Sequence, residues 1–476
     1  MTPRDVAVVG GGLSGLTAAL ALREGSGGAV RVTVYEAREN AGGNASTLLD
    51  DGYLIERGPN GFLENDASRT VMSWLDLETR LIEANAAARR RFIVRGGRLR
   101  AVPDSPIGLL CGDALSLAGR LRVLGEPWVR SRSPKQETVS DFARRRLGSE
   151  AARVLVDAAV GGITAGDSRE LEVESAFPTL VEMEREHGSL LKAMMHRARA
   201  ARAGGAQAGA ARAGGARAGG AHAGRPRLVS FPGGMAELMR AFEKRLGPSL
   251  ELGAPIRSLS RADGRWRLAG QSGATAEADA VVIATPARGA ATMLRALDPE
   301  LSDLLAGVRF GGVAVVALAF RASDLRRPLD GYGFLVPSAE RGRTLGAVWE
   351  SSLFADRAPR EHVLIRAMIG GAREPAALFE SDEALVARAR EDLARFMGLE
   401  AEPGRRWVSR APEAIAQYAR GHAGRIAAIR EASARHPGLA LCGTSYDGVS
   451  MGAAMAAGCR AAGVLMESSE PARRSA

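Results

Sequence analysis

Cysteine is scarce in this 476-residue chain, which contains Cys111, Cys442 and Cys459. These three form no CxxC pair and no even set, so a disulfide framework is excluded and a reducing cytoplasm is predicted. Uncharged apolar runs of 18 or more residues are also missing, which argues against a transmembrane helix. No charged and apolar leader precedes the first predicted strand, so we expect no secretory signal.

Histidine is sparse as well, and none of the six follows residue 452. The stretch Gly448–Gly452 matches GxSxG, but a hydrolase of that pattern needs an acid and then a histidine later in the chain. A hydrolase is therefore excluded. The histidines at 187, 196, 222, 362, 422 and 436 show no metal-ligand spacing, so we predict no metal site.

The formal net charge of +10 is concentrated in one stretch. Between Arg197 and Arg227 there are seven arginines and no acid, so the rest of the chain carries 10 − 7 = +3. The stretch repeats Ala-Arg-Ala-Gly-Gly-Ala and has no residue able to build a core. We predict a flexible surface loop over 196–226, with solvation as its role or, alternatively, contact with anionic lipid. Nucleic acid is not expected, because no aromatic residues interleave for base stacking.

Apolar segments from distant parts of the chain predict a parallel sheet. Val6–Val9 and Val30–Tyr35 flank a glycine-rich turn and a helix, which makes a βαβ beginning. Ala280–Ala284 and Leu439–Cys442 are further predicted strands, and the last of them precedes a helix over Gly452–Met466. If all four strands join one sheet, that domain is assembled from the start, middle and end of the chain.

A different pattern, between 310 and 371, predicts an antiparallel meander of four successive strands. An amphipathic helix over Ser381–Met397 follows, with Gly398 as its stop. The region from 100 to 195 is mostly helical in pattern. It contains the apolar patch Ile107–Leu110, which suits either a core or contact with a bilayer surface.

Gly10-Gly11-Gly12-Leu13-Ser14-Gly15 fits the GxGxxG pattern of dinucleotide-binding turns. Gly10 permits the tight turn, Gly12 lets the backbone approach a pyrophosphate, and Gly15 allows the helix to pack closely on the strand. Glu36 ends the next strand, where a carboxylate accepts a hydrogen bond from a ribose hydroxyl. The motif therefore predicts an adenine dinucleotide site.

Further glycine turns occur at Gly42-Gly43, at Phe231–Met235 and at Gly443–Gly448. Such turns aim backbone N–H groups at a diphosphate. Each turn taken singly is also compatible with a plain change of chain direction. Their spread over the whole length suits a long ligand, such as FAD, that is touched at many places.

These motifs resemble the amine oxidase and phytoene desaturase superfamily of FAD enzymes, through Val8–Leu16, Glu36 and Gly42-Gly43. Four further segments resemble one branch, the protoporphyrinogen oxidases. They are Gly52–Asn60; Arg91-Phe92 with Gly96-Gly97 and Pro103; Gly162–Leu171; and Gln417–His422. The resemblance covers nearly the whole chain apart from the Ala/Arg/Gly segment.

The resemblance implies an α/β plus α+β fold of three parts. We expect a discontinuous Rossmann-like FAD domain over 1–85, 227–295 and 405–476. A substrate domain on an antiparallel sheet is expected over 86–100, 175–195 and 296–404. A helical, membrane-facing subdomain is expected over 101–174.

The resemblance also implies the residues of the site. Arg91 matches an arginine that holds a substrate propionate, and Gly162 matches a residue at the substrate cavity. Three apolar residues match positions that sandwich a tetrapyrrole: Leu335, Val348 and Met368. Without the resemblance, Arg91 would be interpreted as part of a solvated run of charges. The three apolar residues would be interpreted as the core of a sheet. The expected FAD contacts are Gly10, Gly12, Leu13, Ser14, Gly15, Glu36, Ala37, Gly42, Gly43, Asn44, Gly58, Pro59, Asn60, Ile256, Thr285, Gly443, Gly448, Val449 and Ser450.

The implied reaction is the oxidation of protoporphyrinogen IX to protoporphyrin IX in haem biosynthesis, with oxygen as acceptor and hydrogen peroxide as product. Coproporphyrinogen III is the alternative substrate. The flavin does the hard chemistry, so no catalytic acid–base pair is expected. Candidate partners are the inner face of the cell membrane, a neighbouring haem-pathway enzyme and a second copy of the chain.

Two departures from the family pattern keep other interpretations open. Ala416 replaces a usual proline, and Gly452-Ala453 replaces a usual Asn-Asp near the expected flavin end. A carotenoid desaturase or an amine oxidase would share the FAD domain, although an aromatic content of 5% and the Arg91 segment argue against amine oxidation. A catalytically silent FAD-binding scaffold is the remaining alternative.

Overall fold

The computed structural model describes residues 4–103, 108, 112–130, 133–197, 199, 227–271, 273 and 275–467. Nearly all of the predicted 196–226 loop lies outside the described residues, and so does the patch Ile107–Leu110 apart from Gly108.

The described strands are β1 Arg4–Val9, β2 Val30–Tyr35, β3 Thr47–Asp50, β4 Tyr53–Glu56, β5 Phe62–Leu63, β6 Ile82–Glu83, β7 Phe92–Arg95, β8 Arg98–Ala101, β9 Leu228–Ser230, β10 Leu250–Glu251, β11 Ile256–Ala262, β12 Arg265–Gly270, β13 Thr275–Ala278, β14 Ala280–Ile283, β15 Arg309–Arg321, β16 Gly333–Leu335, β17 Gly346–Trp349, β18 His362–Gly370, β19 Arg405–Gln417 and β20 Leu439–Leu441.

The α-helices are α1 Leu13–Gly25, α2 Asp66–Trp74, α3 Leu117–Leu124, α4 Val139–Leu147, α5 Ser149–Ala151, α6 Asp157–Thr164, α7 Val173–Ala176, α8 Pro178–His187, α9 Met235–Leu246, α10 Ala287–Leu294, α11 Pro299–Ala306, α12 Glu350–Leu353, α13 Asp382–Met397, α14 His422–Ala434 and α15 Met451–Glu467.

A five-stranded parallel sheet joins the start, middle and end of the chain, in the order β10–β2–β1–β14–β20. The central strands β1 and β14 are apolar and buried, as strands covered on both faces must be. All four strands expected from the apolar pattern lie in this sheet. Its carboxyl edge therefore collects turns from three distant parts of the sequence.

A second sheet has seven strands in the order β19–β15–β18–β17–β16–β7–β8. The predicted meander is wrong in one respect, because β15 pairs with β18 and β19 rather than with β16, which follows it in sequence. The three long strands pair along most of their length, and this leaves the short β16 and β17 on the outer side of β18. One pair, β16 with β7, is parallel.

The two faces of the seven-stranded sheet have different neighbours. One face packs on α13, whose Leu385, Leu393 and Phe396 are buried against Phe334 and Trp349. Because side chains alternate along a strand, the opposite face presents Leu335, Val348 and Met368. This second face is referred to as the wall.

Helices α4 to α8 form a separate apolar cluster, in which Val139 and Phe142 pack with Val181 and Met183. Residues 178–187, assigned from the sequence to the substrate domain, thus pack among the helices. Residues 405–417, assigned to the FAD domain, form β19 of the seven-stranded sheet. In the described part of the chain, no helix has both the length and the apolar character needed to cross a bilayer.

Candidate functional site

The turn after β1 is shaped by close backbone contacts. Gly10 has φ +108°, and a Cβ at Gly15 would lie 2.0 Å from the Gly10 carbonyl oxygen, so a side chain at Gly15 would push α1 off the turn. A Cβ at Gly12 would meet nothing within 4 Å, and Gly12 gives α1 no side-chain cap. The N-terminus of α1 therefore has no side-chain cap, which leaves its first N–H groups available to a diphosphate and makes this turn a candidate cradle for it.

Glu36 lies directly beside this cradle. Its buried carboxylate accepts hydrogen bonds from the N–H groups of Gly11 at 2.7 Å and Arg38 at 2.9 Å. The Glu36 carbonyl accepts from Ala254 at 2.8 Å, which brings the start of β11, with Ile256, next to it. Ala37 follows Glu36 and is exposed.

The other predicted glycine turns converge on the same place. Gly42 donates its N–H to the Gly11 carbonyl at 2.8 Å, and a Cβ at Gly43 would lie 3.3 Å from the Gly12 Cα. On the other side, a Cβ at Gly443 would come within 3.9 Å of the Ser14 hydroxyl oxygen. These contacts bring turns from both ends of the chain around the N-terminus of α1.

Thr285, at the end of β14, adds a polar atom to the cradle. A Cβ at Gly10 would lie 3.0 Å from the Thr285 nitrogen. The Thr285 hydroxyl is buried and has no hydrogen-bond partner among the described residues. A buried hydroxyl in this state fits a ligand that supplies the partner, so the residues present are compatible with a bound dinucleotide.

Gly58, Pro59 and Asn60 link the cradle to the seven-stranded sheet. A Cβ at Gly58 would lie 1.9 Å from the Asn44 carbonyl oxygen, so the two segments are in backbone contact. The Asn60 amide donates to the buried carboxylate of Glu350 at 3.4 Å. This three-residue segment thus lies between the cradle and the wall.

Tyr418 holds the turn that leads into the last helix. Its hydroxyl donates to the Thr444 carbonyl and accepts from the Gly448 N–H, both at 2.7 Å. Its ring stacks on His422 with the ring centroids 4.1 Å apart, and burial lowers the pKa of His422 to about 4. The sequence motif contained Tyr418, but its spacing alone could not indicate a partner 30 residues away.

The same turn continues through Val449 and Ser450 into α15. Val449 packs against the apolar cluster on one side of the parallel sheet. The Ser450 hydroxyl accepts the Ala453 N–H at 3.1 Å, so its side chain caps the start of the helix.

The predicted substrate residues come together on the wall. Leu335 and Met368 each lie directly opposite Gly346, so a position without a side chain, referred to as the slot, separates them on the wall. The Leu335 side chain borders it closely, since a Cβ at Gly346 would lie 3.1 Å from Leu335 Cδ2. Val348 belongs to the next row on the same face. A Cβ at Gly162 would lie 2.3 Å from Leu335 Cδ2, which shows that α6 closes over one end of the slot.

Arg91 lies at the rim of the wall, just before β7, and is exposed. Its guanidinium carbon is 5.6 Å from the centre of the Tyr332 ring, and Tyr332 packs with Val348 and Met368. Among the described residues no carboxylate lies within ion-pair distance of Arg91, whereas Arg90 pairs with Asp330. Arg91 is thus available to an anionic group near the slot.

Tyr332 is a site residue that the sequence analysis missed. Burial raises the pKa of its phenol, which is therefore neutral at neutral pH. An isolated tyrosine in a predicted strand offers no indication that an arginine from a distant segment will cover it.

Glu56 is also buried, beneath the Gly58–Asn60 segment. Its carboxylate accepts from the Met235 N–H at 2.9 Å and from the Thr47 hydroxyl at 2.8 Å. Burial is the main cause that raises the pKa of Glu56 to about 7.

We predict that Glu56→Gln flattens the dependence of stability on pH. The ordinary pKa of a glutamate is 4.5, whereas the pKa of Glu56 in the folded protein is about 7. Between these two pH values Glu56 therefore holds a proton in the folded protein that it has lost in the unfolded chain. The free energy of unfolding should therefore fall through this window as pH rises, by on the order of 3 kcal/mol. Urea unfolding from pH 4.5 to 8 measures this, with the exposed Glu391→Gln as control. An unchanged slope in Glu56→Gln would contradict the assignment.

We predict that Tyr418→Phe destabilises the protein by about 1–3 kcal/mol, because it leaves the Thr444 carbonyl and the Gly448 N–H without their partner. Affinity for added FAD should fall as well. Tyr446→Phe is a matched control for the unfolding measurement, because the Tyr446 hydroxyl lies in the same turn and is buried without a partner among the described residues. Equal loss of stability in the two variants on urea unfolding would refute the role of Tyr418, and FAD titration of Tyr418→Phe against the wild type measures the change in affinity.

Comparison with known proteins agrees with this geometry. The family described as flavin containing amine oxidoreductase matches residues 13–466. Human protoporphyrinogen oxidase is 33% identical over 491 residues, covering 98% of this chain and 99% of the human protein. Coproporphyrinogen III oxidase of Bacillus subtilis (strain 168) is 29% identical, covering 94% of each chain.

Solved structures show the same fold. A crystal structure from Exiguobacterium sp. 255-15, of a protein provisionally assigned as protoporphyrinogen oxidase, has a TM-score of 0.79 and 25% identity, covering 98% of this chain and 100% of the other. Reduced UDP-galactopyranose mutase, at 14% identity, has a TM-score of 0.72, covering 99% of this chain and 97% of the other. The chain is an FAD-dependent oxidoreductase that belongs to the flavin-containing amine oxidoreductase family and is similar over nearly its full length to protoporphyrinogen oxidases.

Proposed function

We propose that this chain oxidises protoporphyrinogen IX to protoporphyrin IX in haem biosynthesis, with oxygen as the final acceptor and hydrogen peroxide as product. The observation that carries the proposal is the slot between Leu335 and Met368, with Arg91 at its rim and the cradle for FAD beside it. A flat apolar slot excludes water and accepts a tetrapyrrole face. The bound flavin supplies hydride acceptance, and the protein supplies binding and orientation.

In this proposal each substrate residue has a defined task. Leu335, Val348 and Met368 contact the ring, and Gly162 borders the end of the slot that α6 closes. Arg91 pairs with a propionate, for which a planar, permanently charged guanidinium is suited. The proposed FAD contacts are Gly10, Gly12, Leu13, Ser14, Gly15, Glu36, Ala37, Gly42, Gly43, Asn44, Gly58, Pro59, Asn60, Ile256, Thr285, Gly443, Gly448, Val449 and Ser450.

Coproporphyrinogen III is a second candidate substrate. The similarity to the Bacillus subtilis enzyme supports it. A substrate with four carboxylates instead of two would also gain more from Arg89 and Arg91, whereas Arg90 already pairs with Asp330. Both candidates use the same slot and the same chemistry.

Anaerobic mixing of the FAD-loaded protein with each porphyrinogen tests the activity directly. We expect bleaching of the flavin absorbance and formation of a porphyrin spectrum, with the natural substrate giving the larger kcat/KM. Bound flavin that stays oxidised with both porphyrinogens would favour the silent scaffold. Bleaching by an amine instead would favour an amine oxidase.

We predict that Arg91→Ala raises KM for the porphyrinogen by about 10- to 100-fold with a smaller effect on kcat, as expected for a lost hydrogen-bonded ion pair of about 1.5–3 kcal/mol. Arg90→Ala is the matched control, because Arg90 already pairs with Asp330. Steady-state kinetics measures both variants. A KM of Arg91→Ala equal to that of Arg90→Ala would remove Arg91 from the site.

We also propose contact of the helical part with the inner face of the cell membrane. Leu117 and Leu121, one turn apart on α3, and the nearby Trp128 are more than half exposed, and such side chains suit the boundary of a bilayer. Sedimentation with anionic lipid vesicles should pull down the wild type but not Leu117→Glu/Leu121→Glu. Phe379→Glu, at another exposed apolar position, is the control, and equal binding of all three proteins would refute the contact.

A further inference from the structure

Four ionisable side chains are buried together where the wall meets the Gly58–Asn60 segment. Glu56, Glu350 and Arg357 are 1% exposed, and Arg366 is 4% exposed. Burial of charged groups is costly unless each of them is paired and hydrogen-bonded. An apolar residue at position 366 of the sheet would fill the same space at a lower cost in desolvation. The contacts of Arg366 therefore need an explanation.

Arg366 belongs to the wall. It lies directly opposite Val348 in β17 and Ala317 in β15, two residues before Met368 in β18. Its side chain therefore leaves the sheet on the face that carries the slot. Both of its sheet neighbours are apolar, so the wall itself offers no partner for the guanidinium.

The partners of Arg366 come from two sources. Its Nε donates to Glu350 Oε1 at 2.7 Å. Its Nη1 donates to the Glu56 carbonyl at 3.2 Å and to the Gly58 carbonyl. One planar group thus binds a carboxylate that follows β17, the last carbonyl of β4 and a carbonyl of the Gly58–Asn60 segment.

Glu350 orients this guanidinium from the other side. Besides Arg366, it accepts the amide of Asn60, so the same carboxylate holds both the arginine and the end of the segment that the arginine binds. Arg366, Glu350, Gly58 and Asn60 form a closed set of contacts. Movement of the segment away from the wall would break the hydrogen bonds of Arg366 to Gly58 and of Asn60 to Glu350.

We propose that Arg366, oriented by Glu350, is a positioning residue that fixes the Gly58–Asn60 backbone for the flavin. This proposal rests on the assignment of Gly58–Asn60 to the FAD site in the proposed function, but not on the identity of the substrate. The pair acts on the cofactor through the segment, and neither side chain needs to touch the flavin.

The alternative is that the pair only holds the fold together, and a double substitution separates the two roles. Arg366→Met leaves Glu350 charged and unpaired, so both stability and FAD affinity should fall. Arg366→Met/Glu350→Leu removes both charges, and such replacements of a buried pair are often neutral for stability. The Gly58 carbonyl still lacks its donor in the double variant.

The experiment measures urea unfolding of the apoprotein and FAD affinity by quenching of flavin fluorescence on reconstitution. We expect the double variant to unfold close to wild type but to bind FAD at least 10-fold more weakly, with a shifted absorption band of the bound flavin. Arg366→Lys keeps the charge but cannot reach Glu350 and both carbonyls at once, so it should fold and bind FAD at least 10-fold more weakly. Arg410→Met, which breaks the exposed pair with Asp382 next to the same sheet, is the control and should bind FAD as wild type does.

FAD affinity within threefold of wild type in either the double variant or Arg366→Lys would overturn the proposal. Failure of the proposed function looks different. In that case the wild type binds FAD but its flavin is not bleached by a porphyrinogen, while the Arg366 variants still lose FAD affinity.

Discussion

The structure depends on the contact between the turn after β1 and the first residues of α1. Because a Cβ at Gly15 would lie 2.0 Å from the Gly10 carbonyl oxygen, the helix can approach the sheet only with glycine at that position. This approach leaves the N–H groups of α1 facing the open edge of the parallel sheet. The turns containing Gly42, Thr285 and Gly443 are then arranged around that edge.

The second constraint is that the cradle and the wall belong to different sheets, and the separation between them must be fixed. Side-chain hydrogen bonds join the connections between the two sheets: Tyr418 bridges Thr444 and Gly448, and Arg366 with Glu350 holds the segment from Gly58 to Asn60. Polar contacts of this kind cost desolvation, which suits a place where geometry matters more than stability.

Charged side chains around the slot fall into two groups, buried pairs and an exposed arginine. Paired charges such as Glu350 and Arg366 are buried on the same face as the slot, whereas Arg91 remains exposed at the rim without a carboxylate partner among the described residues. A buried pair can hold a backbone without attracting ligands, and an exposed arginine over Tyr332 can attract an anion without a large desolvation cost. In the proposed function, positioning of the cofactor and recognition of the substrate therefore fall to different arginines.

By itself, the sequence determined the elements whose pattern is local: the GxGxxG turn, Glu36 one strand later, the alternating strands and the helix over 382–397. Resemblance added the site residues and the cofactor. Only the tertiary structure decided that β18 lies between β15 and β17, that Tyr332 faces Arg91, and that Arg366 binds Gly58. The physical reason is range: periodicity and turn chemistry act over a few residues, whereas strand order and buried polar partners join residues up to several hundred positions apart.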